Sequence, residues 1–219
     1  MFAALTLSLA TLFWFSNLQA LPASTNPDRE FHRLLENAKD HPAATNWPAL
    51  RLAFSKTTAY YPDLEPFDPT PLDQELKSGE RAAALVLIDR LLEGRWVEPE
   101  PHFYAALACD QLGETARRDL HLAFGRGLRA AMTTAGDGRS VETAYPVLFP
   151  SEEAYLLRYL VQANPSPHTQ VQHKGRHYHA HTETTAPDHD LTIYFDVEIP
   201  WKARLARQIS GPGLNPPQP

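Results

Sequence analysis

The sequence predicts an α+β protein, with N-terminal helical hairpins followed by a helix packed on a small antiparallel β-sheet. Three observations carry this. Apolar residues recur at helical spacing from residue 27 to about residue 133. Within that region, "PHFYAALACDQLGETARRDLHLAFGRGLRAAM" sets small side chains among large ones, as tightly packed helix pairs do. From residue 168 onward the period changes to strict alternation, ending in "DLTIYFDVEI".

Taken in order, residues 1–20, "MFAALTLSLATLFWFSNLQA", carry no charged side chain and are largely apolar from Phe2 to Phe15. That is the length of a signal-peptide core and short of the roughly 20 apolar residues of a membrane span. The reading is a signal peptide cut after Ala20 and a periplasmic or secreted protein, with membrane attachment only if the segment stays uncleaved. Residues 21–134 form a helical region. Asn26 caps its first helix, with Pro27 at the first position and acids in the first turn. Asn46 caps the second helix, and residues 60–71 form a proline-broken loop pinned by aromatics. Thr70 and Pro71 open a third helix, and Ser78 caps a fourth that Gly94 ends. A final pair splits at Gly113, and its "QLGET" turn is tetratricopeptide-like.

Residues 135–201 form an α+β region. Asp137-Gly138 makes a turn, "AYPVLF" a short strand, and Ser151 caps an amphipathic helix over residues 151–163 that "NPSP" ends. A meander of three strands follows, "HTQVQH", "RHYHAHTET" and "DLTIYFDVEI". In the last strand Leu191, Ile193, Phe195, Val197 and Ile199 share one face, which the 151–163 helix is placed to cover. Residues 202–219 give a short helix and the Pro-rich tail "GPGLNPPQP".

The formal net charge is -6 and no long basic run exists, so a nucleic-acid partner is not expected. The 20 prolines against 10 glycines point to short, stiff connections. The single Cys109 excludes an intramolecular disulfide, and its apolar setting reads as an inert buried thiol.

The stretches "LRLAFSKTTAYYP", "GDGRSVETAYPVLFPSEEAYLL" and "YFDVEIP" carry a resemblance. They resemble a bacterial family of exported proteins known as domain-of-unknown-function family 4919, over roughly residues 28–201. Asp137-Gly138, Ser140, Thr143-Ala144-Tyr145 and Tyr194-Phe195-Asp196 are its most specific pieces. The resemblance implies a fold and an export habit, and no reaction. The histidine run lies outside the shared pattern, which Gly175 and Tyr178 match.

Chemistry concentrates in "RHYHAHTE", where His177, His179 and His181 fall at every second position of one strand. His168 and His189 lie on neighbouring strands. The simpler reading is a solvated outer face, with Tyr178, Ala180 and Thr182 turned inward. The alternative is a metal site using His177, His179 and His181, with zinc as the fitting ion. His177, His179 and Glu183 mimic part of a cupin motif, without its glycines or its second half. "GDGRS" lacks the lysine and spacing of a P-loop and reads as a cap and turn. Glu152 and Glu153 read as charges favourable to a helix N-terminus. Two functions follow: a non-enzymatic module that binds a protein or peptide partner without any cofactor, and, as the alternative, a metal-binding protein or metal-dependent enzyme built on the histidine strand.

Overall fold

The computed structural model describes residues 26–162, 167–186 and 189–210. The expected signal peptide over residues 1–20, most of the "NPSP" stop and the tail over residues 211–219 lie outside the described residues. Helices α1 (Pro27–Asp40) and α2 (Trp47–Phe54) begin where asparagine supplies the missing acceptor. Asn26 Oδ1 accepts the N–H groups of Asp28 and Arg29, and Asn46 Oδ1 that of Ala49. The boundary between α3 (Thr70–Ser78) and α4 (Arg81–Leu92) differs from expectation. Ser78 closes α3, Gly79 turns left-handed at φ 81°, and Glu80 takes the N-cap. The serine still helps, because its Oγ accepts the Glu80 N–H at 3.2 Å.

Helices α5 (Pro99–Gln111) and α6 (Thr115–Thr133) part at Gly113, as expected. Its φ of 72° allows paired closing bonds, Glu114 N–H to the Cys109 carbonyl at 2.8 Å and Gly113 N–H to the Asp110 carbonyl at 3.0 Å. The helices pack in pairs, α1 with α2, α3 with α4 and α5 with α6. Small residues set the spacing, since a methyl group at Gly127 of α6 would overlap the Trp47 indole. One apolar cluster joins Phe31, Leu50, Phe54, Phe124, Leu128 and Phe149. Another joins Leu72, Ile88, Leu92, Ala105 and Cys109. Burial pushes the Cys109 thiol up, away from the thiolate range, which suits an inert core residue. The 60–71 loop is pinned as expected, with the Tyr60 hydroxyl donating to the Leu148 carbonyl at 2.7 Å.

The sheet contains β1 (Tyr145–Pro146), β2 (His168–His173), β3 (Arg176–Ala186) and β4 (His189–Asp196), in the order β1-β4-β3-β2. Strands β2, β3 and β4 are the expected antiparallel meander. The two-residue β1 pairs parallel to β4, so the sheet is mixed. Lys174 and Gly175 link β2 to β3 with φ values of 48° and 74°, the double left-handed turn that suits the strands' twist. Strand β4 stops at Asp196 rather than running to Ile199. The Asp196 carboxylate accepts the Glu198 N–H at 3.1 Å and the chain enters α8 (Glu198–Ser210).

Helix α7 (Pro150–Leu156), continued by a π-helical turn over Leu157–Val161, covers the apolar sheet face. Tyr155, Leu156 and Leu157 meet Ile193, Phe195 and Val197 there. Its N-cap is Phe149, and the hydroxyl of Ser151, expected at the cap, instead reaches Glu98 at 3.3 Å. Two buried polar groupings brace the helical half. Arg51 of α2 grips Glu152 of α7 with bonds of 2.6 and 2.9 Å and donates to the Val97 carbonyl at 3.0 Å. His102 of α5 and His121 of α6 face each other with Nδ1 atoms 3.2 Å apart, and His102 Nε2 lies 3.2 Å from the Trp96 carbonyl. Burial first, then the neighbouring His121, lowers His102 from 6.5 to about 3. Burial and the charge of Arg117 lower His121 to about 4.

Two outcomes follow. Arg51→Ala leaves a buried carboxylate unpaired and is expected to cost about 3–5 kcal/mol in urea unfolding at pH 7. The unfolded chain protonates His102 near 6.5 while the folded chain resists to about 3, so acid favours unfolding. Between pH 7.5 and pH 5 the wild type is expected to lose about 2 kcal/mol more stability than His102→Gln.

Candidate functional site

The pairing register decides where the histidines point. His179 pairs with Phe195 and His181 with Ile193. Directly paired residues share a sheet face, so these histidines lie on the apolar side that α7 covers. The expectation of a solvated outer face is corrected here: His179 is 6% exposed and His181 4%. Tyr178 and Ala180, on the other face, are buried as well, while Thr182 is exposed. Both sides of the middle strand are therefore covered over residues 178–180.

The partner on α7 is Glu153. Its Oε1 and Oε2 lie 2.9 and 3.1 Å from His179 Nδ1, and Oε2 lies 2.8 Å from His181 Nε2. The imidazole N–H groups donate and the carboxylate accepts. Burial pushes the Glu153 carboxyl up, but hydrogen bonds and attraction from His179 and His181 outweigh it, leaving the group below its usual 4.5. Glu153 was expected to be a helix-terminus charge, and it is buried at 4% exposure. One tertiary and one sequence feature place it. A helix wedged between two layers buries both flanks, and adjacent acids on it diverge by about 100°. Each then needs its own partner, and Arg51 and the histidines supply them.

His168, on the edge strand β2, completes the cluster. It pairs with His181 across the ladder, and its ring stacks on His179 with centroids 3.6 Å apart and planes 11° apart. Burial, followed by the neighbouring His179, holds the His168 imidazole below its usual 6.5. Glu153, His168 and His179 each bring a ligand atom into a group whose members all lie within 4.8 Å of one another. Tetrahedral zinc, with bonds of about 2.0–2.2 Å, keeps its ligands roughly 3.4 Å apart. Glu153 and His179 are already in contact at 2.9 Å, so the contraction would fall on His168, which is exposed.

His177 is drawn elsewhere. Its Nδ1 and its backbone N–H both reach Glu198 Oε2, at 3.0 and 2.9 Å. Its ring stacks on Trp201 with centroids 4.2 Å apart. Burial pushes Glu198 up, yet bonds from Lys202 and His177 bring it down to about 2. Of the three expected ligands, His179 therefore lies in the cluster, His181 props its carboxylate, and His177 stands apart. The side chains of Glu183 and His189 lie outside the described residues.

"GDGRS" folds as a turn and cap. Asp137 accepts from Arg139 N–H and the Thr143 hydroxyl, and Ser140 and Thr143 cap each other. No helix among the described residues is long and apolar enough to cross a membrane. Comparison with protein-family models, curated proteins and solved structures finds no match. The residue roles here accordingly rest on geometry.

Glu153→Gln removes the charge that two imidazoles hydrogen-bond. It is expected to cost about 2–4 kcal/mol at pH 7, since bonds to a charged group contribute about 1.5–3 kcal/mol each. The Glu153 carboxyl is held low when folded, so its contribution is present above pH 4.5 and lost as pH falls through the folded value. Urea midpoints of variant and wild type should therefore converge in acid.

Proposed function

We propose that this is an exported metal-binding protein whose site consists of Glu153, His168 and His179, with zinc as the fitting ion. The observation that carries the proposal is the convergence of these three donors within 4.8 Å, two of them buried. Two imidazoles and a carboxylate are a zinc donor set, and three protein ligands leave a fourth position open. A buried carboxylate that, among the described residues, takes its side-chain hydrogen bonds from two imidazoles is also an anionic locus suited to a cation. His181 acts from behind the site. Its N–H to Glu153 Oε2 orients the carboxylate so that the other oxygen is offered forward, the usual task of an outer partner to a metal ligand.

Export rests on the apolar segment over residues 1–20. The protein- or peptide-binding role expected from the helical hairpins rests on architecture alone, which many functions share. The convergent donors favour the metal reading over it.

Isothermal titration of the untagged chain with Zn(II) checks the proposal. A single site tighter than micromolar is expected, weakening as pH falls because protons compete for the imidazoles. His179→Ala should abolish it, His181→Ala should weaken it about 10–100-fold, and His177→Ala should leave it unchanged. Binding that is indifferent to His179→Ala, or none tighter than micromolar, overturns the proposal.

A further inference from the structure

Beside the cluster lies a cavity of about 310 Å³. His179 forms part of its wall, together with Gln170 and Gln172 of β2, His177, Val197 and Trp201. The register makes this one continuous surface, because Gln170 pairs with His179 and Gln172 with His177. We propose that this cavity binds a small planar carboxylate whose carboxyl group takes the open position of the metal held by Glu153, His168 and His179. The inference rests on the metal reading above and adds to it the ligand class.

Three features select that class. The first is size: 310 Å³ is at the lower end of ligand pockets, which run from about 300 to 1,000 Å³. The second is shape. Four of the eight lining residues carry rings, and the mutual stack of His177 on Trp201, 15° from parallel, makes one aromatic wall of the cavity against which a planar body can lie. This stack is built rather than incidental, because Glu198 fixes His177 through both its backbone N–H and Nδ1. The third is charge. A divalent cation on Glu153 leaves one positive charge uncompensated, while Glu198 is already paired with Lys202 at 2.9 Å. A monoanion balances the site, and the Gln170 and Gln172 amides give it neutral hydrogen-bonding neighbours.

The test uses the full chain loaded with Co(II), whose visible absorption reports its ligands. Benzoate and acetate are titrated in separate experiments. Both are expected to perturb the spectrum, with benzoate about tenfold tighter because its ring stacks in the cavity. Trp201→Ala should keep the Co(II) affinity and erase the benzoate advantage. Gln172→Trp, which fills the cavity from the exposed strand, should block benzoate without disturbing the packed ring. Co(II) binding without any response to benzoate overturns the inference and leaves the metal reading intact. So does a benzoate advantage that survives both variants. A wild-type chain that takes up no Co(II), or takes it up regardless of His179→Ala, overturns both.

Discussion

Arg51 and Glu152 meet across 101 residues of sequence with two short hydrogen bonds, both side chains almost wholly buried. Each partner makes one further hydrogen bond. Arg51 donates to the Val97 carbonyl, and Glu152 accepts the Leu148 N–H at 2.7 Å. A buried ion pair recovers its desolvation cost only when satisfied in this way. The pair ties α2, the turn at residue 97 and the chain entering α7 into one unit. The rotation of α7 about its own axis is set by that grip.

That rotation is what aims Glu153. Consecutive helical residues point about 100° apart, so once Glu152 faces the helical layer its neighbour must face the sheet. On β3, His179 and His181 are two residues apart, about 7 Å along the strand. A single carboxylate spans them, with one oxygen shared and the other turned to His179. The two acids of "SEEAY" thus serve opposite layers, and the histidine cluster depends on a contact made on the far side of the helix. Helix α8 closes the arrangement from the other end, where Arg204 pairs with Asp63 at 2.6 Å and Arg207 reaches the Tyr60 carbonyl.

Much of the fold was legible because local chemistry declares itself. Asn26 and Asn46, one and two residues ahead of a proline, the left-handed Gly113 and the Lys174-Gly175 link are all decided within four or five residues. Cap positions failed where two candidates stood side by side. Ser78 lost α4 to Glu80, and Ser151 lost α7 to Phe149, each serine finding another hydrogen-bond role nearby. The site was only half legible. Alternation showed that His177, His179 and His181 share a face, but not which face, since a one-residue change of register exchanges the two. The apolar face of β4 was read correctly at Ile193 and Phe195, while Val197, buried as well, lies just past the strand's end. What the sequence could not supply was the pairing of His179 with Phe195, a contact 16 residues apart whose outcome is set by tertiary packing.

The same geometry has two possible occupants at its centre. With a proton on His179 Nδ1, Glu153 is satisfied by two imidazole donors and the cluster is a buried structural network. With the proposed cation there, the imidazole and the carboxylate would be its ligands, and the proton would be released. What distinguishes the cluster from an ordinary buried network is His168. A network needing only to satisfy Glu153 has no use for a third imidazole from an edge strand, stacked on His179 and within reach of the same point. Among the described residues no carboxylate hydrogen-bonds His168 that would explain its position as a structural tie. It stands on the exposed strand, where a ligand can swing toward an arriving ion while the buried pair stays fixed. Two donors held on the core side and a third at the solvent edge are the arrangement the proposed capture of an ion from solution would use.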